Sequence, residues 1–335
     1  MIDPVTGFSY PDAWMKRCRD PDLLGQVREG LAVLTASGTV LRRGFTTGTT
    51  AAAACKAAVL SQQRDVASVS IRIPCGLVVD VPVEARAGRA SCRKYAGDYP
   101  ADATAGIEFI ATTSVLPDRI RLVPGTGIGR FSRDTPRYPR GTPAISPAPL
   151  GCILASIEEA LAMIGSSGGI SVTLSAPEGE QIAQKTLNPR VGVEGGISVL
   201  GTTGLVEPWD DHLQESVRER VAAAKDAVIT TGRIGMRYAR LLFPDREVVL
   251  AGGKIGEALA IAKGDVVLCG LPALILRFID PAILDGSGYL TIEELAASRD
   301  FDRIVRPALA AFHATHPHVR VVLLSREGGI IGERP

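Results

Sequence analysis

From Gly196 onward the chain alternates short β-branched runs with helix-patterned stretches, and that alternation restricts it to few folds. The runs at 197–200, 227–230, 247–250, 265–268 and 319–324 are too short for helices and rich in valine, isoleucine and leucine. All but the last are followed closely by glycine, at Gly201, Gly232, Gly252 and Gly270. Apolar strands separated by helices predict a parallel sheet with both faces covered. In such sheets ligands bind at the carboxyl ends of the strands, where glycine lets them approach the backbone.

The N-terminal half has a different rhythm. A helix is expected from about 22 to 36, capped by Asp22, with Leu23, Val27, Leu31 and Leu34 on one face. A Gly/Thr loop then runs into an alanine-rich helix. Strands follow near 66–73, 77–83 and 107–115, then a proline- and glycine-rich irregular loop over 124–150. A helix at 153–164 and a strand at 170–175 complete this half, and a helix is expected from about 208 to 226. The expected architecture is an α+β domain at 41–195 and a Rossmann-like α/β domain with a parallel sheet at 196–335. Residues 1–40 precede them as an N-terminal extension.

Composition excludes several classes of function. A net charge of +1 gives no footprint for nucleic acid. The longest apolar run, near 266–276, is interrupted by Gly270 and Pro272 and is far short of a membrane span. Asp3 and Pro4 stand where a signal peptide would need a basic and then an apolar region. No membrane association is therefore expected, and a cytoplasmic location is. Cys18, Cys55, Cys75, Cys92, Cys152 and Cys269 are scattered, as buried thiols in a reducing compartment would be. His313, His316 and His318 have a metal-like spacing, but Pro317 breaks the helix between them. A solvated helix end is expected there, as is a solvated His212, and no metal site.

Two segments carry candidate chemistry. In RRGFTTGTTAAAA, Arg42 and Arg43 precede Thr46, Thr47, Gly48 and Thr49 at a helix start. Exposed N–H groups there attract carboxylate or phosphate; equally, a threonine can cap a helix that packs closely through its alanines. The segment NPRVGVEGGISVLGTTGLVEP holds Asn188, Arg190, Gly195, Gly196, Gly201, Thr202, Thr203, Gly204 and Glu207. Its glycines leave backbone open for a bulky or planar ligand, and Arg190 can fork onto a carboxylate. The alternative is a tight interdomain crossover that needs glycine for its turns. Asp98 and Asp102, within KYAGDYPADATAG, are candidates for a general base or polar anchor, although turn formers dominate that stretch. Gly232 and Gly235 follow a strand and open a helix like a truncated dinucleotide fingerprint, a weak pointer to nicotinamide.

LRRGFTTGTTAAAACKAA and KTLNPRVGVEGGISVLGTTGLVEP resemble the two signature segments of the CbiD family of anaerobic cobalamin biosynthesis. GTPAISPAP, beginning at Gly141, is similar to the family's Gly-Glu-Pro-Ala-Ile-Asn-Pro stretch. The run from Gly125 to Gly129 is similar to its Gly-Glu-Gly-Val-Gly. Order and spacing hold from about residue 41 to 262. The resemblance implies transfer of a methyl group from S-adenosylmethionine to ring carbon C1 of cobalt-precorrin-5B, giving cobalt-precorrin-6A. It implies an α+β domain before a Rossmann-like one, and a cobalt-containing tetrapyrrole as partner; a homo-oligomer is compatible with it. The candidate catalytic acids are Asp98 and Glu207, and the other residues named in the two segments, with Gly232 and Gly235, are candidates for binding substrate or S-adenosylmethionine. The chain departs from the family pattern at Tyr95, Tyr99 and Ala101, at Gly252–Gly256, and at Gly270–Leu274, where the family carries His and Lys. A second reading is therefore a non-catalytic corrinoid-binding paralogue or a methyltransferase acting on another tetrapyrrole.

Overall fold

The structure is a computed structural model that describes residues 1–99, 102–116, 118–135, 137–208 and 217–334. The chain divides into two compact units. One is Arg42–Asp210; the other joins Met1–Leu41 to Asp211–Pro335.

In the Arg42–Asp210 unit the dominant element is a six-stranded sheet. Its order is Val66–Arg72, Val78–Arg86, Arg89–Arg93, Glu108–Leu116, Gly169–Ser175 and Ile120–Pro124. All neighbours are antiparallel except the last pair, which is parallel. Alternation is clean in Val78–Arg86, which buries Val79, Val81, Val83 and Ala85 and exposes the residues between them. Helix Thr47–Leu60 packs on this sheet and on helix Pro147–Met163. Every one of its 14 residues is buried, because its alanines let neighbouring backbones come close on all sides. The one cation inside it, Lys56, is satisfied: its Nζ donates to the Ser70 carbonyl and to Glu159, both at 2.7 Å.

The boundary falls later than the sequence suggests. The apolar run after Gly196 does not begin the parallel sheet. Gly196–Ile197 pairs in parallel with Gly127–Ile128, and Leu205–Val206 pairs antiparallel with Gly44–Phe45. Those backbone hydrogen bonds hold 196–208 in the first unit. Gly201 to Gly204 therefore do not lie at a carboxyl end of the parallel sheet.

The other unit contains the parallel sheet. Strand order is Glu247–Leu250, Ala227–Thr231, Val266–Gly270, Val319–Leu324 and Ile330–Arg334; the first four are parallel and the last is antiparallel. Ala227–Thr231 lies between the next two strands in the sequence, so the order reverses at its carboxyl end. Helices Gly232–Leu242, Ile255–Ile261, Pro272–Ile279 and Phe301–Thr315 connect the strands. Ile229, Leu268, Ile275, Leu276 and Val321 are among its fully enclosed core residues. Of the helix expected over 208–226, Val217–Ala223 is observed, and 209–216, including His212, lie outside the described residues.

Residues 1–40 are part of this α/β unit rather than an extension. Phe8 packs against Tyr10, Trp14 and Tyr238, with ring centroids 5.2, 5.7 and 5.4 Å away. Ala36 N–H donates to the Leu241 carbonyl at 2.9 Å. The helix expected over 22–36 is shorter: Pro21–Arg28, capped by Asp20 rather than Asp22. Gly30 takes a left-handed φ of 78° and ends it, and Ala32–Leu34 is a strand.

Candidate functional site

The two signature segments meet at the start of the alanine helix. Thr46 is its N-cap: Oγ1 accepts from the Thr49 N–H at 3.2 Å, and Thr46 N–H donates to the Gly204 carbonyl at 3.1 Å. Gly48 N–H donates to the Leu200 carbonyl at 2.9 Å, and Thr50 N–H to the Thr46 carbonyl at 3.1 Å. Thr47 Oγ1 donates toward the Ser198 carbonyl at 3.2 Å and accepts from Leu200 N–H at 2.9 Å. Thr49 Oγ1 donates to the Gly204 carbonyl at 2.7 Å. These N–H groups are spent on the chain itself, which favours the capped-helix alternative over an open anion site. Gly201 and Gly204 are needed for the same closeness. A Cβ on Gly201 would lie 2.3 Å from Thr46 Oγ1, and one on Gly204 would lie 2.6 Å from Ile73 Cβ.

The candidate acids sit beside this junction, each holding an arginine. Asp98 accepts from Arg42 three ways: backbone N–H at 2.8 Å, Nη2 at 3.0 Å and Nε at 3.3 Å. Its hydrogen bonding raises the Arg42 pKa, helped by Tyr95. Arg43, whose side chain is fully enclosed, donates from Nε to Glu207 at 3.1 Å. The strand pair at 44–45 and 205–206 brings these ion pairs together. The loop carrying Asp98 docks through Gly97, at φ 64°, where a Cβ would lie 2.4 Å from the Arg42 carbonyl.

Asp102, the other candidate acid of that loop, is enclosed and supports the loop. Lys94 and Asp102 form a buried ion pair, and Asp102 also accepts from Thr104 N–H at 2.9 Å and Thr104 Oγ1 at 2.6 Å. Burial alone would raise the Asp102 pKa. The Lys94 charge and the hydrogen bonds from Lys94 and Thr104 together outweigh it, so the carboxyl lies below its ordinary value.

The remaining candidates fall into separate places. Asn188 is buried; its Nδ2 donates to the Gly196 carbonyl at 3.3 Å and its Oδ1 accepts from Ser198 Oγ at 2.8 Å, so it fixes the segment. Gly196 lies against the Gly127 carbonyl, 2.1 Å from where a Cβ would stand. Gly195 takes a φ of 72° with open space around it. Arg190 and Thr202 are exposed. Thr203 turns back on itself, with Oγ1 donating to the Leu205 carbonyl at 3.1 Å.

Gly232 and Gly235 belong to the other unit. Gly232, at φ 71°, follows the strand ending at Thr231 and starts helix Gly232–Leu242. Gly235 brings that helix onto the sheet: its Cβ would lie 2.7 Å from Thr230 Oγ1 and 3.0 Å from Gly270 Cα. Thr230 Oγ1 is buried and has no hydrogen-bond partner among the described residues. Beyond Gly270, at the carboxyl ends of Val266–Gly270 and Val319–Leu324, lies an apolar cavity of about 280 Å³. Leu271, Pro272, Ala296 and Ala297 line it, with Ser325, Arg326 and Glu293 supplying polar groups. Three distant stretches form its wall, so no local motif announces it.

Among the described residues, no three His, Cys, Asp or Glu side chains are grouped to hold a metal ion. His316 stacks on Phe312 with ring centroids 4.4 Å apart. No described helix is long and apolar enough to cross a membrane. Cys55, Cys92, Cys152 and Cys269 are buried as expected, while Cys18 and Cys75 are only partly so, and all six are free thiols.

Comparison with known proteins bears on both segments at once. The sequence model of the family described as CbiD matches residues 34–208. The cobalt-precorrin-5B C(1)-methyltransferase of Methanoregula boonei is 67% identical over 335 residues, all of both chains. That of Methanosarcina acetivorans is 43% identical over 334 residues, 99% of this chain and 98% of the relative. The 1.9 Å crystal structure of the cobalamin biosynthesis protein (cbiD) from Archaeoglobus fulgidus is 37% identical with a TM-score of 0.57, covering 97% of this chain and 100% of that one. The two relatives and the crystal structure, unlike the family model, match through the C-terminal region, where the sequence departs from the family pattern.

Proposed function

The chain belongs to the CbiD family, and we propose that its geometry serves the C1-methylation of cobalt-precorrin-5B, the activity its full-length relatives are named for. The observation that carries the assignment of a site is the pairing of Leu205–Val206 with Gly44–Phe45. It sets Arg42, Asp98, Arg43 and Glu207 along one ribbon.

The methyl donor is S-adenosylmethionine in this reading. The residues of the α/β unit suit it. Its sheet reverses order at Thr231–Gly232, the position where open α/β sheets take nucleoside ligands, which is why the unit is read as Rossmann-like. The cavity beside Gly270 offers apolar walls to a purine, and the Glu293–Arg326 pair offers both charges to a zwitterionic amino acid. When bound, the donor supplies an electrophilic methyl on a sulfonium sulfur. Gly232, Gly270, Ser325, Arg326 and Glu293 would hold it.

For the tetrapyrrole, Arg42 presents a half-exposed guanidinium already oriented by Asp98, suited to a carboxylate arm. Glu207, held by the enclosed Arg43, stays acceptor-ready at a fixed place. It can take a proton or orient one as the ring carbon gains its methyl group. Thr46, Thr47, Gly48, Thr49, Gly201 and Gly204 act at one remove, by locking the ribbon. Methyl transfer in line needs positioning more than a protein nucleophile, since the ring carbon attacks.

The test is incubation with cobalt-precorrin-5B and methyl-labelled S-adenosylmethionine. Label appearing on the corrinoid, with equimolar S-adenosylhomocysteine, is expected; a corrinoid recovered without label would overturn the reading.

A further inference from the structure

The irregular loop after Gly129 displays arginines. Residues 130–140 contain Arg130, Arg133, Arg137 and Arg140 against a single acid, Asp134, in a chain whose net charge is +1. Strand Arg130–Phe131 pairs antiparallel with Val193–Glu194, which ties this loop to the signature segment. Ser132 N–H donates to the Gly192 carbonyl at 2.8 Å, and Gly141 N–H to the Phe131 carbonyl at 2.7 Å. Phe131 and Tyr138 stack with centroids 4.7 Å apart and planes 10° from parallel. Asp134, itself exposed, turns one oxygen to the loop: its Oδ1 accepts from Arg140 N–H at 2.8 Å.

The side chains are left outward. Arg133, Arg137, Arg140 and Arg190 are exposed. Among the described residues, no hydrogen bond or ion pair engages their guanidinium groups, whereas Arg130 donates to the Gly141 carbonyl. Arg133 lies along the backbone at Gly192, where a Cβ would stand 3.1 Å from its Nε, and Arg190 is two residues away. Like charges gathered this way repel one another, so their grouping is unfavourable until an anion joins them. Guanidinium forks recognise carboxylates by paired hydrogen bonds.

We propose that Arg133, Arg137, Arg140 and Arg190 form a carboxylate-gripping edge that binds the acidic side arms of a polycarboxylated tetrapyrrole. For the identity of that ligand the proposal rests on the methyltransferase reading; the site itself stands on the loop geometry. The edge sets affinity and orientation, and the half-buried stack of Phe131 and Tyr138 braces the loop beside it.

The test uses uroporphyrin, a soluble tetrapyrrole octacarboxylate, titrated into the full chain by fluorescence, with methyl transfer assayed separately. Saturable binding that weakens with salt is expected. The triple variant R133Q/R140Q/R190Q should bind roughly tenfold or more weakly, with Tm and S-adenosylhomocysteine affinity unchanged. A tetracationic porphyrin of similar size should not bind. Equal uroporphyrin affinity in wild type and variant, or no saturable binding by the wild type, would overturn the proposal. Arginine-dependent uroporphyrin binding by a protein that leaves cobalt-precorrin-5B unmethylated would uphold the edge and overturn the reaction.

Discussion

Arg43 and Glu207 are 164 residues apart in sequence, yet Arg43 Nε donates to Glu207 Oε2 at 3.1 Å, with the arginine side chain wholly enclosed. Removing Glu207 takes a charged acceptor from an enclosed guanidinium. Glu207→Ala should cost about 2–3 kcal/mol, below the 3–5 of a fully buried pair because Glu207 is partly solvated. Denaturant midpoints of wild type and variant measure this, and equal midpoints would show that solvent replaces the carboxylate. Glu207→Gln should recover much of the stability and little of the methyl transfer.

Gly201 and Gly195 separate steric from conformational demand. Alanine at Gly201 meets Thr46 Oγ1 at 2.3 Å, whereas at Gly195 it meets nothing and is strained only by its φ of 72°. Gly201→Ala should cost about 2–3 kcal/mol and Gly195→Ala about 1. Thermal melts should rank them in that order; the reverse ranking would mean that the Thr46 contact relaxes freely.

Asp102 should give an acid signature. Its folded pKa lies below its ordinary 3.8. Its stabilising contribution is thus complete above that ordinary value and is lost as pH falls through the lower folded one. Asp102→Asn should be less stable than wild type near neutrality, and the gap should close below about pH 4. A gap constant down to pH 2 would show that the carboxylate charge is not what stabilises the loop.

The thiols should divide by reactivity. Burial pushes Cys92 and Cys269 up to about 12 and raises Cys55 and Cys152 as well. Native protein treated with iodoacetamide at pH 8 should be modified at Cys18 and Cys75 before the others. Early labelling of Cys55 would reveal opening of the alanine helix.

The strands and helices of the parallel sheet were legible because their period and their closing glycines are local signals. The edge of the unit was not. Ile197 looks like the first strand of that sheet, and only its pairing with Ile128 shows otherwise; pairing is a non-local choice. The glycines and threonines of the signature segments stand out in the sequence, and their visible role is to hold the junction together. Thr47 and Thr49 are consumed by Leu200 and Gly204, so their pattern records the junction's own hydrogen bonds. Arg42, Arg43, Asp98 and Glu207 do converge, whereas Gly232 and Gly235 belong to the other unit. Lys94 escaped notice because lysine is rarely buried and its partner lies across a turn.

Phe8 and Trp14 leave the ribosome early, but Tyr238, the ring that Phe8 packs against, is made much later. The Arg42–Asp210 unit is continuous, so it can finish folding on the ribosome while the first forty residues wait unpaired. The α/β unit cannot close until its last strands emerge. Newly made chains therefore pass through a stage in which an aromatic N-terminal arm is exposed, the stage at which a chaperone would have most to shield.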